Sequence, residues 1–309
     1  MVQDSFFVER DSGAERIWNI MKIMTMNTHS LVEPDFGMKR ERFADMILKE
    51  QPDLLAIQEV NQTAAAQVLS EEQLIGYVVC PGSEVLVRED NYAAWLSGRL
   101  LRDGLFYHWT WLPAKLGYDR YDEGMAIFSR RPIAEAEQCF TSRSQDYHNW
   151  KTRKLLGVQV DQSWYYTVHM GWWDDEEEPF ASQWNRMEAF LYEKKKKEQP
   201  VWLLGDFNSS SAVRGQGYDL ICQGGWRDTY EDAEQKDTGI TVEEVIDGWR
   251  ERVSELTGAG VMGMRLDYIF SSRRVPVMRS QVICNGKNYE KVSDHYGVMI
   301  EIKDAGEEF

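Results

Sequence analysis

Cysteine is scarce in this chain and carries no pattern: Cys80, Cys139, Cys222 and Cys284 are scattered, with no two of them separated by only two residues. That spacing excludes a clustered zinc site or a dithiol redox motif, and it reads as four reduced thiols. Long apolar runs are missing as well, and nothing approaches the roughly 18 residues of a membrane-spanning helix. The opening stretch MVQDSFFVERDSGAERIWNI is too charged for the apolar region of a secretion signal, so a cytoplasmic protein without membrane contact is expected. Basic charge is in deficit, 35 Lys and Arg against 51 Asp and Glu, for a formal net charge of -16. Such a surface repels a nucleic-acid backbone at long range and makes DNA or RNA an unfavoured partner. Neither a linker nor an internal repeat divides the 309 residues. The expected organisation is an N-terminal extension over 1–20 and one domain over 21–309; oligomeric state is not legible.

What is there is enough apolar material for a core, 43% of the chain, with 12 Trp and 14 Tyr, more aromatics than a core needs. The most informative stretch is VWLLGDFNSSS, residues 201–211. Four apolar residues in a row suit a strand covered on both faces, and the chain then breaks at Gly205, Asp206, Phe207 and Asn208. Asp206 and Asn208, two apart, either present hard oxygen ligands at the strand mouth or tie down their own Asx turn.

Other segments repeat this grammar. A strand over 22–26 ends at Asn27, a helix over 39–50 follows, and a second buried strand over 54–57 delivers Glu59. This unit brings Asn27 and Glu59 to one edge, where open sheets hold their sites. A hairpin over 154–160 and 164–168 ends at His169, a strand over 265–270 carries Asp267, and one over 292–302 carries Asp294 and His295. Further helices are expected over 61–76, 92–102 and 180–197, a polar loop over 117–124, and irregular chain over 232–263.

Carboxylates and amides without cysteine suit magnesium or manganese. Two histidines and several acids leave groups for proton transfer. A phosphate ester is the natural substrate, because its hydrolysis needs charge neutralisation, an oriented water and help for the leaving oxygen. Taken singly, Glu59 or Asp267 reads as a salt-bridged strand-end acid and His169 as a core histidine.

The segments MNTH, IQEV, EGMAIFSRRPI, VHMGW, LLGDFNSS, RLDYIF and SDHYGV, in this order and spanning nearly the whole chain, resemble the endonuclease/exonuclease/phosphatase superfamily. That group includes pancreatic deoxyribonuclease, abasic-site endonucleases, inositol phosphatases and neutral sphingomyelinases. Within it, YDEGMAIFS, GWWDDEEEPFA and TGITVEEVIDGWR are most similar to the bacterial maltose 6'-phosphate phosphatase branch. The resemblance implies an α/β (α+β) fold, a four-layer α/β/β/α sandwich of two mixed sheets packed face to face with helices outside. It implies Glu59 as the metal ligand, with Asn27 beside it and Asp294 as a second. Asp206 and Asn208 would orient the attacking water and a phosphate oxygen. His295, oriented by Asp267, would be the general base or a donor to the phosphate. His169, supported by Glu123 or by neighbouring Asp122, would assist the leaving group. Arg130 is a phosphate contact or a surface turn residue, and Trp172, Trp173 and Trp249 stack on substrate or pack in the core. The expected protein is a Mg- or Mn-dependent phosphoric ester hydrolase acting on a small phosphorylated sugar. A nuclease or sphingomyelinase-like phosphodiesterase and a non-catalytic sugar-binding protein are the alternatives.

Overall fold

Short apolar runs rich in Ile, Val, Met and aromatic residues, cut off by Gly, Asp or Asn, form most of the strands, as their fit to a pleated surface favours. The computed structural model describes residues 6–11, 14–197, 199–243 and 263–304. Its strands are β1 (Phe6–Asp11), β2 (Ala14–Asn27), β3 (Leu54–Thr63), β4 (His108–Gly117), β5 (Tyr121–Ser129), β6 (Ile133–Phe140) and β7 (Lys154–Val160). There follow β8 (Ser163–His169), β9 (Val201–Asp206), β10 (Arg227–Asp228), β11 (Gln235–Lys236), β12 (Asp267–Ser271), β13 (Val277–Ile283) and β14 (Gly297–Asp304). The helices are α1 (Phe36–Glu50), α2 (Tyr92–Arg102), α3 (Phe180–Lys195), α4 (Gly217–Gln223) and α5 (Thr229–Asp232).

Two mixed sheets result. The first runs β11-β13-β14-β2-β3-β5-β4, with β1 paired to the early part of β2; the second runs β10-β12-β9-β8-β7-β6. In each, one parallel pair surrounds a helical crossover: β2 and β3 flank α1, and β8 and β9 flank α3. The sheets bury their inner faces against each other through Ile23, Leu54, Ala56 and Ile127 on one side and Leu156, Val158, Trp202 and Leu204 on the other. Outside, α1 and α2 cover the first sheet with Phe43, Ile47, Leu96 and Leu100, while α3 and α4 cover the second with Trp184, Met187, Leu191 and Ile221. Each fully buried side chain of this size stabilises the fold by about 1.5–3 kcal/mol. The architecture is therefore the α/β/β/α sandwich. Among the described residues no helix is long and apolar enough to cross a membrane.

Several elements depart from the sequence reading. No helix forms over 61–76: β3 continues to Thr63, because its edge pairs with β5 as far as Tyr121, and only one turn at Glu71–Gln73 follows. Residues 117–124 are mostly strand, the hairpin turn being confined to Tyr118, Asp119 and Arg120, the first two with left-handed φ. β6 and β13 were not anticipated, since an edge strand such as IAEAEQCF, half exposed, lacks an apolar run. β2 begins at Ala14, so the boundary drawn at residue 20 falls inside a strand. The strand expected over 292–302 starts only at Gly297, leaving Asp294 and His295 in the loop before it.

Candidate active site

Asp206 closes β9, and its register partners are His169 at the end of parallel β8 and Asp267 at the start of antiparallel β12. Directly opposed residues share a face of a sheet, so sheet pairing alone lines up an imidazole and two carboxylates. Gly205 makes this possible: its φ is +140°, and a Cβ there would lie 2.1 Å from the carbonyl oxygen of Val168. Asp206 Oδ1 accepts the Asn208 backbone N–H at 2.8 Å, and Asn208 Nδ2 donates to the Met170 carbonyl at 2.9 Å, which fixes the exit loop.

His295 reaches this row from the loop before β14. Its Nδ1 lies 2.9 Å from Asp267 Oδ2, which leaves Nε2 facing Asp206 Oδ2 at 3.8 Å. From the other side His169 Nε2 stands 3.7 Å from the same Asp206 oxygen and 3.9 Å from Glu59 Oε1.

The first sheet supplies the opposite wall. Glu59 sits at a bulge between Gln58 and Val60 with φ 53°, a conformation that turns its side chain toward the second sheet. Asn27, at the end of β2, donates through Nδ2 to Glu59 Oε1 at 2.8 Å and to Asp206 Oδ2 at 3.2 Å. Beneath them Gln58 Nε2 donates to Thr25 and Thr167 hydroxyls at 3.0 and 2.8 Å, a second link between the sheets. His29 Nδ1 is 2.8 Å from Glu33 Oε1 and 3.8 Å from Asp294 Oδ1.

Burial, reinforced by the charge of Glu123, raises the Glu59 carboxyl. Burial also pushes Asp206 up to about 7, against the pull of His295. Burial opposes charge on His295, yet Asp267 and Asp206 hold the ring protonated well above its ordinary value. His169 goes the other way, driven well down by burial and then by the cations Arg153 and Lys115. At His29 burial is again overcome, here by the Glu33 hydrogen bond and nearby carboxylates, and the ring rises to about 9.

These groups line a cavity of about 320 Å³, together with Lys115, Arg153, Tyr118, Trp150 and Trp172. Its donors are carboxylate oxygens and imidazoles, and Asp267 Oδ1 is buried without a partner. Glu59 and Asp206 approach each other through a shared amide. Hard oxygens carrying excess negative charge fit Mg²⁺ or Mn²⁺.

Nine of the residues singled out in the sequence line or adjoin this cavity: Asn27, Glu59, Glu123, His169, Trp172, Asp206, Asn208, Asp294 and His295; Asp267 stands behind His295. Asn27 lies beside Glu59 with its amide nitrogen toward the carboxylates, while its Oδ1 accepts the His29 backbone N–H. Three expectations need correction. Glu123 pairs with Lys115 Nζ at 3.0 Å and not with His169, since β4 and β5 are register neighbours there. Arg130 follows the far end of β5, roughly 20 Å along the strand from Glu123, where its N–H bonds the Asp53 carbonyl. Trp173 is half-buried against Phe180 in the core under α3. Trp249 lies outside the described residues. Sequence reasoning missed His29, Lys115, Trp150 and Arg153; the one available signal was Lys115, a lone charge in the apolar strand WLPAKLG.

A family model described as endonuclease/exonuclease/phosphatase family matches residues 18–295. No curated protein matches this sequence. Among solved structures, an endonuclease/exonuclease/phosphatase family protein from Leptotrichia buccalis C-1013-b is 29% identical with a TM-score of 0.75, over 91% of this chain and 99% of that one. A mannosyl-6-phosphatase from Bacteroides thetaiotaomicron VPI-5482 is 17% identical, TM-score 0.59, over 91% and 99% of the two chains. A 3'-5' exonuclease from Neisseria meningitidis is also 17% identical, TM-score 0.59, over 92% and 100%. The last two share the fold alone.

Proposed function

The chain belongs to the endonuclease/exonuclease/phosphatase family, and from that premise we propose that it is a metal-dependent phosphomonoesterase that hydrolyses a small phosphorylated sugar by attack of an activated water. The observation that supports this most is the convergence of His169 and His295 on one oxygen of Asp206, at 3.7 and 3.8 Å, beside Glu59. Glu59, with Asp294 facing the same cavity, would hold Mg²⁺ or Mn²⁺, whose charge neutralises the phosphate oxygens. Asp206 is the acceptor that orients the water, and Asn208 steadies it and a phosphate oxygen. His295, fixed by Asp267, addresses the phosphate from one side, and His169 addresses the leaving oxygen from the other.

Three observations favour a sugar. The net charge of -16 disfavours a polyanionic substrate. Trp150 and Trp172, with ring centroids 5.7 Å apart, give the cavity an aromatic wall of the kind that packs on sugar rings. One structural neighbour is described as a mannosyl-6-phosphatase. A nuclease remains the second reading, because an exonuclease shares the fold. Four free cysteines are consistent with the reducing cytoplasm. The test is phosphate release with Mg²⁺, Mn²⁺ or EDTA from a panel of sugar phosphates including maltose 6'-phosphate, beside plasmid DNA and sphingomyelin. Metal-dependent release from a sugar phosphate with DNA and lipid intact supports the proposal; cleavage of DNA or lipid overturns the substrate class, and no turnover of anything overturns the enzyme.

A further inference from the structure

Arg153, just before β7, is only 8% exposed. Its Nη1 donates to the carbonyls of Trp150 and Thr152 at 2.9 and 3.3 Å, while its buried Nε donates to nothing. Among the described residues no carboxylate pairs with it, although it lines the cavity. A guanidinium cannot shed its proton at any ordinary pH, and the charges of Glu123, Glu59, Asp206 and Asp175 offset its desolvation only in part and without a direct ion pair, so an anion arriving from outside would supply one. Lys115, 7% exposed and set at a bulge in β4, stands on the same wall, with Glu123 as its one acid partner. Two cations against one carboxylate leave this wall positive, and it faces the negative wall of Glu59 and Asp206.

Charge adds a second constraint. A terminal phosphate carries close to two negative charges at neutral pH and a phosphodiester only one, so two cations on one wall of the cavity favour the monoester.

We propose that Lys115 and Arg153 form a receptor for the oxygens of a terminal phosphate, so that the site prefers phosphomonoesters to phosphodiesters. This deepens the functional reading above and rests on it for the chemistry of the ester. Arg153 contributes a delocalised charge that does not titrate and Lys115 a point charge. Their contribution is to binding and selection.

The experiment compares wild type with Arg153→Met, Arg153→Lys and Lys115→Met. Two readouts are used: calorimetric binding of inorganic phosphate in the presence of Mg²⁺, and the ratio of kcat/KM for p-nitrophenyl phosphate to that for bis(p-nitrophenyl) phosphate. We expect both Met variants to bind phosphate at least tenfold more weakly and to lose at least tenfold of the monoester preference, with Arg153→Lys between them and wild type. Arg153→Met also removes the hydrogen bonds to the Trp150 and Thr152 carbonyls; if it fails to fold, Arg153→Lys and Lys115→Met decide the question by the same readouts. Phosphate affinity and ester preference equal to wild type in the folded variants overturn the receptor. If wild type hydrolyses neither ester but loses phosphate binding on substitution, the phosphatase reading falls and the receptor stands.

Discussion

Asp206 and Asp267 are paired across adjacent strands of one sheet, and a single imidazole answers both: His295 sets Nδ1 2.9 Å from Asp267 and Nε2 3.8 Å from Asp206. Like charges directly opposite one another in a sheet repel. The protonated ring offsets that repulsion, which is why its charge persists despite burial. Removing the ring therefore strips the site of the group proposed to address the phosphate and leaves two buried carboxylates facing each other.

His295→Ala should lower kcat by at least ~10²-fold, the usual contribution of a positioned proton donor or acceptor. Asp206→Asn should do at least as much while leaving the far-UV circular dichroism unchanged, because the backbone pairing of β9 does not depend on the carboxylate. Full activity in both variants would remove this site from consideration.

Glu59 offers a separation of stability from activity. Its left-handed φ is tolerated by Gly and strongly resisted by β-branched residues. Glu59→Gly and Glu59→Val should both be inactive, but the Val variant should be less stable than the Gly variant by about 1–2 kcal/mol in urea unfolding.

Glu178 braces the aromatic wall. Its carboxylate accepts the backbone N–H groups of Arg143 and Ser144, both at 2.8 Å, tying the loop of Trp150 to the loop of Trp172. Glu178→Ala should cost about 1–3 kcal/mol in stability. In kinetics it should raise KM more than it lowers kcat, and a pure kcat effect would argue against a wall that binds substrate.

Acid stability should report on Glu50. Burial opposes its ionisation, but hydrogen bonds from Tyr289 and Lys22 bring its carboxyl below the ordinary value of 4.5. A lowered native value means stability present above the unfolded value and lost as pH falls through the native one. Glu50→Gln should therefore lower the urea midpoint at pH 7 and differ progressively less from wild type below about pH 4.5.

Chelation should abolish turnover without unfolding the protein, and Mg²⁺ should restore it. Because the cavity oxygens repel one another without a cation, Mg²⁺ binding should also raise the melting temperature, and more at higher concentration. The same melting temperature with and without the ion would mean that Glu59 and Asp294 do not hold it.

The groups legible in the sequence were those that strand ends announce. An apolar run followed by a polar residue marks Asp206, His169 and Glu59, the strands expected over 265–270 and 292–302 carry Asp267 and His295, and the family pattern adds a role for each. Arg153 and Trp150 lie in the irregular loop SQDYHNWKTR, where no periodicity tells one polar or aromatic residue from the next. Of the two readings open for Arg130, the surface turn holds and the phosphate contact does not, because a sequence does not reveal which end of a strand faces the site. Trp173 shows the converse: next to Trp172 and in equally acidic surroundings, it packs against Phe180 at the start of α3 while Trp172 lines the cavity, a division that two adjacent tryptophans do not announce.

Two hydrogen-bonded links across the sandwich beside the cavity, Asn27 to Asp206 and Gln58 to Thr167, make the spacing of the sheets part of the geometry of the proposed site. The cavity works as a caliper on the interior. A conservative exchange deep among Ala56, Ile127 and Leu204 would leave every reactive side chain in place and still be registered as a change in rate. Drift in such a core is then policed by turnover before it is policed by folding.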